Sequence, residues 1–175
     1  IEEILSFRFP PIVKPVDSAG SKGVTKIENL RELEPAIDQA ILHSVSNTFI
    51  VEEFIEALGF ASDSDCFSQN NELQVFTLNN QYFDSKSSNI FVPSAYSWPT
   101  DISKKNQEVF RDELQRLISL LELGTTLYNF EVRVGLNGKP YIMEVSPRGG
   151  GNRLSEMVNY ATGLNLIQYA IKGEM

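Results

Sequence analysis

Two glutamates, Glu131 and Glu144, flank Asn137-Gly138 in the stretch YNFEVRVGLNGKPYIMEVSPRGGGNR, residues Tyr128 to Arg153. The runs on either side are rich in Val, Tyr, Phe and Ile and read as strands, and Asn-Gly suits a two-residue type I′ turn with positive φ at both positions. Such a turn makes the numbers of facing residues sum to a constant. Leu136 then opposes Lys139, Arg133 opposes Ile142, and Glu131 opposes Glu144. Like charges directly opposed, with Cβ atoms roughly 4.5 to 5.5 Å apart, destabilise a sheet. A hard divalent cation with oxygen ligands would turn the pair into a binding site, and Mg²⁺ is the expected ion. Arg133 or another basic group could instead neutralise the pair, and a register slip of one residue would separate it.

Alternation along the same strands puts Phe130, Val132, Val134 and Leu136 with Tyr141, Met143 and Val145 on an apolar face. Asn129, Glu131, Arg133, Glu144 and Ser146 take the other. Pro140 falls opposite Gly135 at a non-hydrogen-bonded pair, where no N–H is owed.

A second candidate lies near the start. Pro10 to Val16 is a short apolar strand with Lys14 in its middle, and Asp17 to Gly23 follows with two glycines, two serines and Lys22. Backbone N–H groups and hydroxyls of such a loop could wrap a polyphosphate, although a plain Gly/Ser turn fits the same letters. Neither G-x-x-x-x-G-K-[ST] nor G-x-G-x-x-G is present. Further on, Thr48 to Ile55 reads as a strand whose acidic pair, Glu52 and Glu53, marks a cleft edge or an exposed end.

The positioning elements follow from periodicity. Asn29 to Ser44 reads as a helix with its main part starting at Pro35, and the sole histidine, His43, lies near its end in a surface position. Ala61 to Phe67 and Glu72 to Leu78 form a second hairpin, with Asp63 and Asp65 on one face and expected in solvent. Tyr82 to Ser97 looks irregular. Ser103 to Leu123 is a scaffold helix ended by Gly124, and Leu164 to Ile171 closes the chain as a short amphipathic helix, with Asn152 or Asn159 marking turns before it.

Composition narrows the classes. The 175 residues are 42% hydrophobic and 22% charged, enough for a sizeable core. A net charge of −8 argues against a general nucleic-acid surface, and no run approaches the roughly 20 apolar residues of a membrane helix. Cys66 is the single cysteine, so no internal disulfide can form, and a reducing, cytoplasmic setting is the expectation. Ile1 suggests a segment of a longer polypeptide.

Together these features resemble the ATP-grasp superfamily over nearly the whole chain. PPIVKPVDSAGSKGV is similar to the family's phosphate-clamping segment, which implies Lys14 on ATP phosphates with Ser21, Lys22 and Gly23 in the loop. VEEFI resembles the hinge that reads adenine, implying mainly backbone contacts from Glu52 and Ile55, with Glu53 and Phe54 lining the pocket. The hairpin resembles the metal-binding ribbon, implying Glu131 and Glu144 as Mg²⁺ ligands, with Mn²⁺ as the alternative ion, and Arg148 steadying the transferred phosphoryl group. Three departures stand out. Ser146 occupies the place of a usual asparagine ligand, for which its register partner Asn129 could substitute. Gly59 sits where a ribose-binding acid is common, leaving Glu56 or a water. Gly149 to Asn152 lacks the acidic motif of biotin carboxylases, which disfavours that chemistry.

The resemblance implies an α+β fold of two lobes clamping ATP, with an antiparallel sheet in the larger. The smaller lobe is expected at residues 1–54 and the larger at 55–175, without the family's amino-terminal domain. The implied activity is ATP-dependent ligation, a carboxylate being activated as an acyl-phosphate and passed to an amine. A non-catalytic ATP-binding module, or a fragment inactive alone, is the alternative. Expected partners are the small-molecule carboxylate and amine and the rest of the parent polypeptide; no nucleic acid or membrane is expected, and a homo-oligomer is compatible.

Overall fold

The computed structural model describes residues 10–173. They form two compact units, the first running to Ile55 and taking in Phe83–Pro93, the second made of Glu56–Tyr82 and the described residues from Ser94 on.

In the first unit β1 (Pro11–Pro15) lies between β2 (Thr25–Lys26) and β3 (Phe49–Glu53), antiparallel to both. Pro11, Val13 and Pro15 are buried while Ile12 and Lys14 are half-buried, so the lysine points away from the core face. Val13 and Ile27 pack on Leu33, Ala36 and Ala40 of α1 (Leu33–Leu42). A 3₁₀ turn at Leu30–Glu32 precedes that helix, capped by Asn29, whose Oδ1 accepts the Arg31 N–H at 3.1 Å. The helix starts at Leu33 rather than Pro35. Pro35 lies in its first turn, where a missing N–H costs no intrahelical bond.

The second unit is built on a four-stranded antiparallel sheet. Its strands in chain order are β4 (Ser62–Gln69) and β5 (Glu72–Val75). Next come β6 (Asn80–Phe83) and β7 (Pro93–Ser97), a separate two-stranded ribbon inside the stretch that looks irregular in sequence. After α2 (Lys104–Leu120) follow β8 (Thr126–Val134) and β9 (Pro140–Ser146), giving the order β5-β4-β8-β9. One face of this sheet carries Cys66, Tyr128, Phe130 and Val132 against Phe110, Leu114 and Ile118 of α2, with Phe110 meeting Phe130 edge-on at 6.3 Å. Each of the buried Val, Leu, Ile and Phe side chains contributes about 1.5–3 kcal/mol.

The other face divides along the strands. At one end Phe67 and Leu127 pack on Val158 and Leu166, which belong to α3 (Leu154–Thr162) and α4 (Leu166–Gly173). Helix α3 is unforeseen in the sequence reading, and Asn159 lies inside it rather than at a turn. Its signal was present in the helical spacing of Leu154, Met157, Val158 and Ala161. Beyond Phe67 and Leu127 the same face turns polar.

Candidate active site

The β8–β9 turn is not the two-residue form. Gly138 takes φ 74° and Asn137 is not among the positive-φ residues. The Gly138 N–H donates to Gly135 O at 2.8 Å, and the Gly135 N–H donates to Lys139 O at 2.8 Å. The loop is therefore Leu136-Asn137-Gly138, a type I turn closed by a left-handed glycine. The added residue shifts the pairing: Arg133 faces Tyr141 instead of Ile142, and Val134 faces Pro140. Leu136 does not pair with Lys139 or join the core, and is 61% exposed. Tyr141 moves to the polar face, where its hydroxyl accepts from Asn137 Nδ2 at 2.8 Å, and Ile142 takes its place on the core side. Pro140, next to the hydrogen-bonded Gly135/Lys139 pair, still owes no N–H.

A bulge then restores the count. Val132 pairs with Ile142 and Glu131 with Glu144, so Met143 is the extra residue. Glu131 and Glu144 are thus direct cross-strand neighbours, and Asn129 faces Ser146. Two one-residue offsets, one at the turn and one at the bulge, cancel where the carboxylates sit.

Strand β4 extends both rows. Asp63 pairs with Glu131 and Asp65 with Asn129, so the face reads Asp63–Glu131–Glu144 in one row and Asp65–Asn129–Ser146 in the next. The expectation that both aspartates are solvated does not hold. Asp65 is fully buried, accepting the Gly150 N–H at 2.7 Å on Oδ1 and the Ser155 hydroxyl at 2.5 Å on Oδ2. Asp63 is half-buried and accepts from Asn129 Nδ2 at 2.5 Å and from the Tyr96 hydroxyl at 3.4 Å. Burial pushes the Asp63 carboxyl above the usual range, against the hydrogen bond from Asn129, and the charges of Asp65 and Glu144 add to the rise. Sequence offered the alternation of Asp63 and Asp65 but not their partner strand, some 65 residues away along the chain.

Arg133 does approach Glu131, at 3.7 Å, a loose ion pair that leaves Glu144 to the solvent side. Glu144 is exposed and its Oε1 accepts the Ser146 hydroxyl at 2.8 Å. With its nitrogen turned to Asp63 and 3.4 Å from Asp65, the Asn129 amide presents its oxygen elsewhere. Among the described residues no three of His, Cys, Asp and Glu converge closely enough to hold a metal by themselves. The donor set at the glutamates is nonetheless all hard oxygen, which suits Mg²⁺ with ligands completed by water and phosphate.

Past Ser146, Arg148 is exposed and its Nη1 donates to Gly149 O at 2.9 Å. A groove of about 360 Å³, lined by Phe67, Leu127, Ala170 and Ile171 among others, also touches Arg148.

The remaining candidates lie in the first unit. Lys14 Nζ is 2.5 Å from Glu52 Oε2, on neighbouring strands where Lys14 faces Ile50 and Glu52 faces Ile12. Glu53 is exposed, Phe54 and Ile55 are half-buried, and the Phe54 N–H donates to Pro10 O at 3.0 Å. The Lys26 ammonium lies 4.8 Å from the Phe54 ring centroid. In the glycine loop Lys22 is exposed, and Ser21 is held by Phe91 O at 3.2 Å and by Asn89 Nδ2 at 3.0 Å. Gly23 has φ 71° and lies so close to α1 that a Cβ would come within 2.9 Å of Gln39 O and His43 Cβ.

Comparison with known proteins bears on this arrangement. The chain is 24% identical over 155 residues to the D-alanine–D-alanine ligase of Lactococcus lactis subsp. lactis strain IL1403, covering 83% of this chain and 42% of that protein. It is 26% identical over 154 residues to the corresponding ligase of Parabacteroides distasonis, covering 85% and 45%. The chain thus spans less than half the length of these relatives. In fold it is similar to the L-amino acid ligase from Bacillus licheniformis, with TM-score 0.75, 23% identity and coverage of 95% of this chain and 39% of that one. It is also similar to the biotin carboxylase from Campylobacter jejuni, with TM-score 0.78, 18% identity and coverage of 98% and 37%. These likenesses are of fold, which in this chain is α+β. The family profile described as the ATP-grasp domain matches residues 7–156, most of the chain, and the chain accordingly belongs to the ATP-grasp family.

Proposed function

We propose that this chain is the ATP-binding part of a ligase that activates a small carboxylate by phosphoryl transfer and passes it to an amine. The observation that carries the reading is the direct cross-strand pairing of Glu131 with Glu144, with Arg148 in the loop two residues past the end of β9 at Ser146. Opposed carboxylates weaken a sheet, and their retention makes sense where a cation is held between them. Mg²⁺ bound there would neutralise charge on the phosphate oxygens and so favour transfer of the phosphoryl group. Glu131 and Glu144 would hold it, with the Asn129 oxygen and the Ser146 hydroxyl as further ligands on the same face.

The other roles belong to this chain's own groups. Arg148 places a fixed positive charge where the moving phosphoryl group develops negative charge. Lys14 exchanges Glu52 for a phosphate oxygen, and Ser21, Lys22 and Gly23 offer hydroxyl, ammonium and N–H donors to the phosphate chain. The backbone of Glu52 to Ile55 supplies hydrogen bonds to the base, and Glu53 and Phe54 line its pocket. The names of the relatives support an amino acid as both carboxylate and amine donor.

The test is ADP release by the protein in its full natural chain, with MgATP plus D-alanine or the common L-amino acids. Release that needs both an added carboxylate and an amine is the expected result. Tight binding of ATP without turnover on any of these would favour a non-catalytic nucleotide-binding module.

A further inference from the structure

Asp65 is a fully buried carboxylate for which the phosphoryl-transfer scheme has no use. Burying that charge is costly unless donors answer it, and Phe67, two residues on and on the same face, shows that an apolar side chain is accommodated there. What Asp65 does is visible in its contacts. Oδ1 accepts the Gly150 N–H and Oδ2 accepts the Ser155 hydroxyl, so one carboxylate grips the chain on both sides of Asn152 and Arg153. Those two residues have φ 54° and 59°, consecutive left-handed conformations, the first of which asparagine adopts readily and the second of which an arginine holds only with support from the surrounding structure.

The Gly150 N–H also belongs to the same peptide unit as the Gly149 carbonyl, and that carbonyl accepts from Arg148 Nη1 at 2.9 Å. A planar trans peptide points its N–H and C=O in opposite directions. Fixing the N–H on Asp65 therefore fixes the carbonyl on which the guanidinium rests. The approach is close enough that a Cβ on Gly150 would lie 2.9 Å from Asp65 Oδ1 and 2.8 Å from Asn129 Nδ2, which only glycine avoids.

We propose that Asp65 is a positioning residue: through the Gly149–Gly150 peptide it orients Arg148, and through Ser155 it anchors the start of α3. The consequence for turnover rests on the ligase reading above; the anchoring does not. Because the role is hydrogen bonding and not charge, Asn at position 65 can keep it, with Oδ1 on Gly150 and the amide nitrogen donating to the Ser155 oxygen. Ala cannot.

Two measurements on the full natural chain test this. In hydrogen exchange, Asp65→Ala is expected to raise the exchange rate of the amides from Gly150 to Glu156 at least about tenfold while β8 and β9 keep their protection, with Asp65→Asn close to wild type. Ser155→Ala removes one arm only and provides the milder version should Asp65→Ala not fold. Unchanged exchange across that segment in both Asp65→Ala and Ser155→Ala overturns the proposal. In ADP release with MgATP and amino acids, Asp65→Ala is expected to lower kcat by about a hundredfold, as misplacing a charge by about 1 Å can do, with KM for ATP little changed and Asp65→Asn rescuing most of the loss. Combined with Arg148→Ala, Asp65→Ala is expected to add no further loss, because it acts through that arginine. Losses that multiply, or failure of Asn to rescue, overturn the positioning role. Absence of turnover in the unsubstituted protein refutes the ligase reading, and the exchange pattern then decides the anchor alone.

Discussion

Replacing Glu144 by Gln should stabilise the metal-free protein and abolish its response to Mg²⁺. Glu131 and Glu144 are directly paired, which puts their charges on the order of 5 Å apart; the Coulomb repulsion is about 0.8 kcal/mol at the dielectric of water and about 3 kcal/mol at an effective value of 20. Glu144 is exposed, and Glu131 keeps 30% of its side-chain area and has Arg133 at 3.7 Å, so the lower figure governs. Relief of about 1 kcal/mol corresponds to a rise in Tm of roughly 2–4 °C for a chain of this size. Gln keeps an Oε1 to accept from Ser146, so little else is lost. Against this, Mg²⁺ at ten times its Kd should stabilise the wild type by about 1.4 kcal/mol, a rise of roughly 3–6 °C, and the variant not at all. The assay is thermal unfolding in EDTA and in Mg²⁺, for both proteins. A lower Tm of the variant in EDTA, or an undiminished Mg²⁺ response, would refute the claim that the paired carboxylates form a cation site.

Two further outcomes are expected. Gly150→Ala should destabilise the protein by about 1–3 kcal/mol, because its Cβ would meet Leu154 Cδ2 at 2.7 Å as well as Asn129 and Asp65, whereas Gly151→Ala, with nothing within 4 Å, should be nearly neutral; urea unfolding compares them. The hydroxyls of Ser44 and Ser46, with two backbone N–H groups, hold the Asp17 carboxyl down to about 2, below its ordinary 3.8. Its stabilising effect is therefore complete above about pH 4 and lost as pH falls toward 2, so the penalty of Asp17→Ala in urea midpoints should be constant at neutral pH and vanish across that window.

Short-range patterns carried much of the fold. The alternation of β8, the stripe of α2 and the glycine loop after Lys14 are each written in a few neighbouring letters, because helix and strand periodicity depends on local geometry. The register was less securely legible. Asn137-Gly138 favoured a two-residue turn, yet Asn137 is not in the positive-φ conformation that form needs, and its Oδ1 accepts the Lys139 N–H at 3.0 Å. The third loop residue moved Tyr141 across the sheet, and only the bulge at Met143 returned Glu144 to Glu131. Helix α3 was obscured because its signal follows three glycines and two left-handed residues, where local preference runs against a helix.

What the amino-acid sequence determined by itself is the set of groups that can do chemistry and the strand or loop that carries each: Lys14 amid apolar neighbours, the glutamates on either side of one turn, Arg148 before the glycines. What only tertiary structure decided is which groups distant in the chain join them on that face. Strand β4 lies against β8 and not merely against its hairpin partner, and that pairing lines Asp63 up with Glu131 and buries Asp65 beneath the Arg148 loop. Contacts between residues so distant in the chain depend on how the sheet's two faces are covered, by α2 on one and by α3 and α4 on the other, and burial of that kind is a property of the packed whole.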